Sequence, residues 1–250
     1  MISELMDSRP LWNVMLFTVV LVLLAIEAGY QTGRWRNRHQ KFDSEALLSA
    51  MTGAHLALLA FILAFSFSMA AGHHGARKQL IMDEANIIGT AFLRSQLVRE
   101  PYGAEIGDIL REYTAVRATI GPGIDADRVI ADSEALHTRL WQQLRLMTDA
   151  YEAREVEALL IESVNNIFDI HEKRVAAGLR NRVPPTLWVA LFTLLTLSMA
   201  GIGYFSGIKG HRNPIASTGL ALSFSVVMFL IADLDRPGEG LVLPDKSVMN

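Results

Sequence analysis

The chain has 250 residues, 51% of them hydrophobic, and its 23 Lys and Arg against 26 Asp and Glu leave a formal charge of −3. Near-neutrality removes the broad basic surface that nucleic acid requires, and the absence of cysteine removes disulfides, thiolate nucleophiles and cysteine-ligated metals. What the average hides is an uneven distribution of charge, which argues against a purely soluble fold.

In chain order, Leu11–Ala28 carries one charged residue, Glu27, close to its end, and Ala46–Ala71 carries none. Thr186–Ile208 and Ile215–Ala232 are likewise uncharged. An apolar run of about 18 residues or more is long enough to cross a bilayer as a helix. These stretches define an integral membrane protein in which two spans, a polar middle and two more spans follow one another. The segment before the first span, MISELMDSRP, lacks a net positive charge, and the GYQTGRWRNRHQK that follows is not a small-residue cleavage site. The first stretch therefore reads as an uncleaved span and not a secretory signal.

The middle is expected to be helical throughout. Ala76–Arg99 contains no proline and can continue the second span beyond the membrane. Pro101 suits the first turn of a further helix, which Gly121-Pro122-Gly123 stops. Asp125 can cap a third helix carrying Val129, Leu136, Leu140, Leu144 and Met147 at helical spacing. A fourth, from about Glu152 to Arg182, carries Val156, Leu159, Leu160, Ile167 and Ile170, and Pro184-Pro185 breaks the chain before the third span. The expected fold class is all-α: four transmembrane helices with a helical bundle inserted between spans two and three. The domains are a first pair of spans within 1–71, a bundle over 72–185, a second pair over 186–232 and a polar tail over 233–250. Arg34, Arg36, Arg38 and Lys41 follow span one, and Lys209 and Arg212 separate spans three and four. Short basic loops stay cytoplasmic, which puts the bundle on the extracytoplasmic side of a bacterial cytoplasmic membrane.

On the second span, Thr52, His55, Leu59, Ile62, Ser66, Met69 and His73 recur at steps of three and four, polar at both ends and apolar between. This seam fits a pore wall with a hydrophobic constriction. It fits helix packing too, with His55 and Ser66 bonded to a neighbour. Gly203 and Gly207 form a small-xxx-small pair for close helix approach. His73-His74 and His171-Glu172 lack the spacing that sets two ligands on one helix face, so no metal and no cofactor is expected. Asn86, Thr90 and Arg94 form one polar stripe, and Asn165, Asp169 and Lys173 another; the two either pair, through Arg94 and Asp169, or stay solvated. After span four, Asp233, Asp235 and Arg236 sit at a helix C-terminus, where the dipole disfavours carboxylates. They read as a structural latch to the cations beside span three, Arg180 or Arg182. No Ser-His-acid set, nucleophile elbow or phosphate loop occurs, so there are no candidate catalytic residues and the chain reads as a non-enzyme.

FSMAAGHHGARKQLIMDEANIIGTAFLR, NIFDIHEKRVAAGLRNRVPP and LIADLDRPGEG, in this order around two pairs of spans, resemble the bacterial bestrophin-like membrane proteins, a domain family of unknown function. The resemblance runs from about Ala46 to Gly240, and Glu84, Asn86, His171, Arg182, Asp233 and Asp235 fall in its motifs. It implies kinship with bestrophins, pentameric anion channels whose second span lines the pore and whose helical domain is cytosolic. The clustered acids of a bestrophin calcium clasp are absent here, and the basic-loop count points to the opposite orientation. The expected function is an oligomeric channel passing an inorganic ion, with the lipid bilayer and further copies of the chain as partners and a pentamer as the implied assembly. The alternative is a non-conducting membrane scaffold or sensor whose bundle binds a protein.

Overall fold

The computed structural model describes residues 11–39, 45–119, 124–150, 155–179 and 181–236. The leader segment, Lys41, the Gly121-Pro122-Gly123 stop, Glu152, Arg180 and the tail from Pro237 lie outside the described residues. Seven α-helices and no strand occur among the described residues: α1 (Leu11–His39), α2 (Glu45–Ser95), α3 (Tyr102–Ala118), α4 (Ala126–Ala150), α5 (Glu155–Leu179), α6 (Pro185–Lys209) and α7 (Pro214–Asp235). Helices α1, α2, α6 and α7 are each long and apolar enough to cross a membrane. The chain gathers into two compact units, one of Met1–Gly72 with Arg182–Arg236 and one including His73–Asn181.

In the first unit, α1 runs past the apolar stretch to His39, because nothing between Gly29 and His39 breaks a helix. Its 29 residues span roughly 43 Å, more than the hydrocarbon alone needs. The α1–α6 contact rests on two glycine pairs. Gly203 and Gly207 of α6 lie against the backbone of Ile26 and Tyr30 of α1, and Gly29 and Gly33 of α1 against that of Ala200 and Tyr204 of α6, so that each helix presents bare backbone to the other. A Cβ on Gly203 would stand 2.8 Å from the Ile26 carbonyl carbon, and one on Gly29 2.9 Å from the Tyr204 amide nitrogen. At Gly33 and Gly207 the nearest backbone is equally close. Around this crossing pack Val22, Leu59, Leu191, Leu195, Met199 and Met228, all almost free of solvent contact. The fully buried hydroxyls of Thr18, Ser66 and Ser225 donate to the carbonyls of Val14, Ile62 and Ala221 at 2.7, 2.7 and 2.6 Å. Bonding to the preceding helical turn leaves no buried hydroxyl unsatisfied in an apolar setting. Pro185 opens α6, Gly210 closes it at φ 72°, and Asn213 caps α7 by accepting from the Ala216 amide at 3.1 Å.

In the second unit, each helix contributes a row of buried positions three or four apart. On α2 the row is Arg77, Ile81, Glu84, Ile88, Ala91 and Ser95; on α3 it is Gly103, Ile106, Leu110, Tyr113 and Arg117. Val129, Leu136, Leu140, Leu144 and Met147 make the α4 row, as their spacing predicts. Asp125 caps α4, accepting from the Asp127 and Arg128 amides at 3.1 and 3.4 Å. On α5 the row is Leu160, Val164, Ile167 and His171, and Leu159 instead points outward.

A side chain at either glycine pair must push two backbones apart. Gly203→Val is expected to lower the thermal stability of the detergent-solubilised protein by about 1–3 kcal/mol or more, the range for overpacking. Gly219→Ala, with nothing within 4 Å, should leave the melting temperature unchanged.

Candidate functional site

The outward wall of α2 is the first candidate. The structure turns the expected seam inward: Leu59 and Ser66 are fully buried, Ile62 packs on the core of the first unit, and Thr52, His55, Met69 and His73 are half-buried. Ser198 of α6 donates to the His55 carbonyl at 3.3 Å, and the His55 ring stays on its own helix against the Met51 carbonyl at 2.8 Å. Leu59 and Ser66, with no exposed surface, pack within the chain's own fold. The opposite face carries its own heptad-spaced row, Ala54, Leu58, Phe61, Phe65, Ser68, Gly72 and Gly75, and every member is exposed. Phe61 and Phe65 are 66% and 50% exposed. Sequence periodicity finds both rows equally well, and only packing tells them apart.

A second candidate is the polar end of the bundle core. Glu84, with 0% of its surface exposed, sits where the α2 row meets Tyr113 and Arg117 of α3 and Arg174 of α5. Tyr113 Oη donates to Glu84 Oε1 at 3.1 Å and Arg117 Nε donates to the same oxygen at 2.9 Å. Arg174 donates to Oε2, so both carboxylate oxygens are engaged. Burial pushes the Tyr113 hydroxyl up to about 12, partly offset by Arg117, and lowers the Arg117 and Arg174 pKa values. Beside this centre His171, 1% exposed, meets the edge of His137 at 4.8 Å, and His137 lies 5.2 Å from Tyr113 and 4.5 Å from Phe168. Both His171 ring nitrogens and His137 Nε2 are buried without a hydrogen-bond partner among the described residues. Burial first, then the positive charge of neighbours including Arg117, lowers both imidazoles to about 4. Sequence reasoning named Glu84 and His171 and missed Tyr113, Arg117, His137 and Arg174. Tyr113 and Arg117 continue the spacing of Ile106 and Leu110 on α3, and that spacing is the signal the sequence holds for them.

Of the two arrangements open to the polar stripes, direct pairing and a solvated face, the pairing through Arg94 and Asp169 does not occur. Arg94 donates to the Leu159 carbonyl at 2.8 Å and to Ser163 Oγ at 2.6 Å, not to Asp169. Glu84 lies opposite Arg174 and Arg94 opposite Ser163, so α2 and α5 run antiparallel and Asp169 stands level with Gly89. Asn165, Asp169 and Lys173 stay exposed. Asn86, Thr90 and Arg94 instead face Glu162, Ser163 and Asn166 across a shallow cavity of about 270 Å³.

At the end of span four, Asp233, Asp235 and Arg236 are buried. Asp235 accepts from the Val183 amide at 2.7 Å. That amide precedes Pro184-Pro185 and has no helical carbonyl to meet, so the carboxylate supplies the acceptor the backbone lacks. Arg182, half-buried, is engaged as well. Among the described residues no group of three His, Asp or Glu gathers as for a metal ion.

Four apolar spans with a helical bundle of this topology define an integral membrane protein of bestrophin architecture. The chain belongs to the bestrophin-like family, whose domain model matches residues 16–242. Solved structures of a bacterial bestrophin homologue from Klebsiella pneumoniae share the fold. One point variant has a TM-score of 0.66 at 13% identity, covering 96% of this chain and 94% of that one. A second structure of the homologue gives 0.61 at 15% identity, with the same coverage of both chains. None of the curated proteins matches the chain.

The two buried imidazoles make the bundle acid-sensitive. Above the unfolded pKa of about 6.5 neither state takes up protons, and the histidines contribute nothing to pH dependence. Between there and about 4 the unfolded chain binds protons that the fold refuses, so stability falls as pH drops, by on the order of 3 kcal/mol for each histidine. Amide hydrogen exchange in α4 and α5, corrected for its intrinsic rate, should show this loss between pH 7 and 4.5. His171→Phe should flatten it.

Proposed function

We propose that the chain is one subunit of a homo-oligomeric ion channel in the bacterial cytoplasmic membrane, with α2 facing the central pathway. The observation that carries the reading is the uncovered row on α2. A stripe left bare by its own chain meets lipid, another copy or an aqueous path. Its composition favours the last: bulky Leu58, Phe61 and Phe65 lie together, and small Ala54 on one side and Ser68, Gly72 and Gly75 on the other leave room beyond them. Several copies of such a row around an axis make an apolar neck between wider vestibules, and a neck of that kind gates by dewetting. Five copies is the number the family resemblance suggests. Which ion passes would be decided by the charges at the two mouths.

Reconstituted in planar bilayers, the purified oligomer should conduct. Phe65→Ala should widen the neck and raise conductance several-fold, whereas Ile62→Ala, on the packed face, should act on stability more than on conductance. A folded oligomer that stays silent, or a monomer by mass in detergent, would sink the channel reading. A monomer would favour a scaffold or sensor, a reading supported by apolar surface on the bundle at Leu93, Leu97, Trp141 and Leu146.

For orientation, the short basic loops support a bundle outside the cytoplasm. Because the chain has no native cysteine, a single Asp149→Cys variant reports sidedness cleanly. Labelling by an impermeant maleimide on intact spheroplasts is expected, and labelling only after lysis would reverse the assignment.

A further inference from the structure

Helix α1 is longer than the hydrocarbon it crosses. Its 29 residues span roughly 43 Å against about 30 Å of bilayer core, and its apolar stretch ends at Ala28, so its final turns stand in the headgroup region. Gly29, Gly33 and Asn37, spaced four apart, fix the side that α1 turns to α6, and the Asn37 side-chain amide donates to the Ile208 carbonyl at 2.8 Å. The helical period then aims Arg34, Trp35, Arg38 and His39 away from α6, and all four are exposed. Trp35 is 67% exposed and lies against His39 with ring centroids 5.1 Å apart. From Gly29 to Glu45 the chain holds four Arg and Lys against two acids, Asp43 and Glu45, both at the far end. Glu27, before this segment, is already taken, accepting from Arg212 at 2.8 Å and from Gln31 at 3.0 Å. Arg36 and Lys209 have partners of their own. Arg34 and Arg38 have none among the described residues.

We propose that the outward face of the last two turns of α1 docks on the headgroups of anionic phospholipids, with Arg34 and Arg38 on the phosphates and Trp35 at the level of the acyl carbonyls. Arg34 and Arg38 stand one turn apart on one side of the helix, and a guanidinium meets a phosphate through two parallel hydrogen bonds. Trp35 is the second half of the argument. A free inorganic anion would use the arginines alone and leave the indole in water, whereas the edge of a bilayer takes an indole and a phosphate contact at neighbouring depths. A zwitterionic lipid offers the same phosphate but carries a cation beyond it, so the net charge of the headgroup separates the two lipid classes. An acidic segment of another protein would match the arginines too, but the length of α1 sets this face beside headgroups. The site needs neither conduction nor a particular orientation of the chain.

The test uses the full-length protein in phosphatidylcholine vesicles doped with phosphatidylglycerol or phosphatidylcholine spin-labelled on the acyl chain. Electron spin resonance reads the share of each labelled lipid held at the protein surface. Phosphatidylglycerol should be preferred roughly twofold or more, and the double variant Arg34→Gln, Arg38→Gln should lose at least half of that preference. Arg128→Gln, Arg145→Gln removes the same charge from α4 of the bundle and should keep it. No preference in the unaltered protein, a preference untouched by the first double variant, or an equal loss in both variants would overturn the proposal. The first of these outcomes would leave the face to an acidic protein segment. As a readout free of folding defects, unaltered protein mixed with phosphatidylglycerol bearing a diazirine near its acyl carbonyl should cross-link within Gln31–His39. Labelling there should exceed, by roughly threefold or more, that within Trp12–Phe17, the exposed opposite end of the same helix, which has no cation. Equal labelling of the two ends would overturn it as well.

Discussion

Hydrocarbon offers no water to a stray peptide group, so a membrane-crossing backbone must satisfy its own hydrogen bonds, and a helix does so with every residue. Once that is met, only the side chains remain to decide which face points where. On α2 the decision is a buried row with a step of three or four in each unit, Leu59, Leu63, Ser66 and Ala70 in the first and Arg77, Ile81, Glu84, Ile88, Ala91 and Ser95 in the second. The helix is 51 residues and roughly 76 Å long. What changes is the chemistry of the row, apolar in the membrane-length part and interrupted by Arg77 and Glu84 beyond it. The outward faces, and with them any pathway, follow from where that row lies.

Glu84 shows why a polar residue can occupy such a row. A carboxylate removed from water costs several kcal/mol unless its charge and lone pairs are met. Here two guanidinium groups and a phenol meet them from two other helices. The centre is electropositive on balance, with two cations to one anion. That surplus, together with burial, holds His137 and His171 neutral. Removing Glu84 would leave two guanidiniums facing each other in a dry site, so the three charges stand or fall together. Such a centre adds little net stability over an apolar core but penalises any bundle register that separates the partners.

Much of this was legible in the residues. The four spans follow from length and lack of charge, the α4 core from its apolar spacing, and the Gly203–Gly207 pair from its step of four. Less visible was anything that needs a partner helix to be known. Gly29 and Gly33 have the same spacing as Gly203 and Gly207 but lie at the edge of the apolar stretch, where glycine suggests a boundary and not a crossing. The seam on α2 has a legible period, but which of its two rows the rest of the chain covers is not legible, because Leu58 and Phe61 are as apolar as Leu59 and Ile62 and composition cannot rank them. The Arg94–Asp169 contact failed on register: both residues are on polar stripes, but antiparallel packing offsets them by more than a turn.

The two units solve the problem of buried polar groups in different ways, and this bears on what can regulate each. In the first unit the buried hydroxyls of Thr18, Ser66 and Ser225 bond to the carbonyl four residues back on their own helix, while that of Ser198 reaches from α6 to the His55 carbonyl of α2. Contact between α1 and α6 then depends on shape, on four glycines that allow backbone against backbone. Shape complementarity of that kind is insensitive to salt and pH. In the second unit the charged centre at Glu84 bonds across helices, from α3 and α5 to α2, and its strength depends on protonation state. Acid therefore acts on the bundle through His137 and His171, whereas the glycine contact between α1 and α6 is one of backbone against backbone.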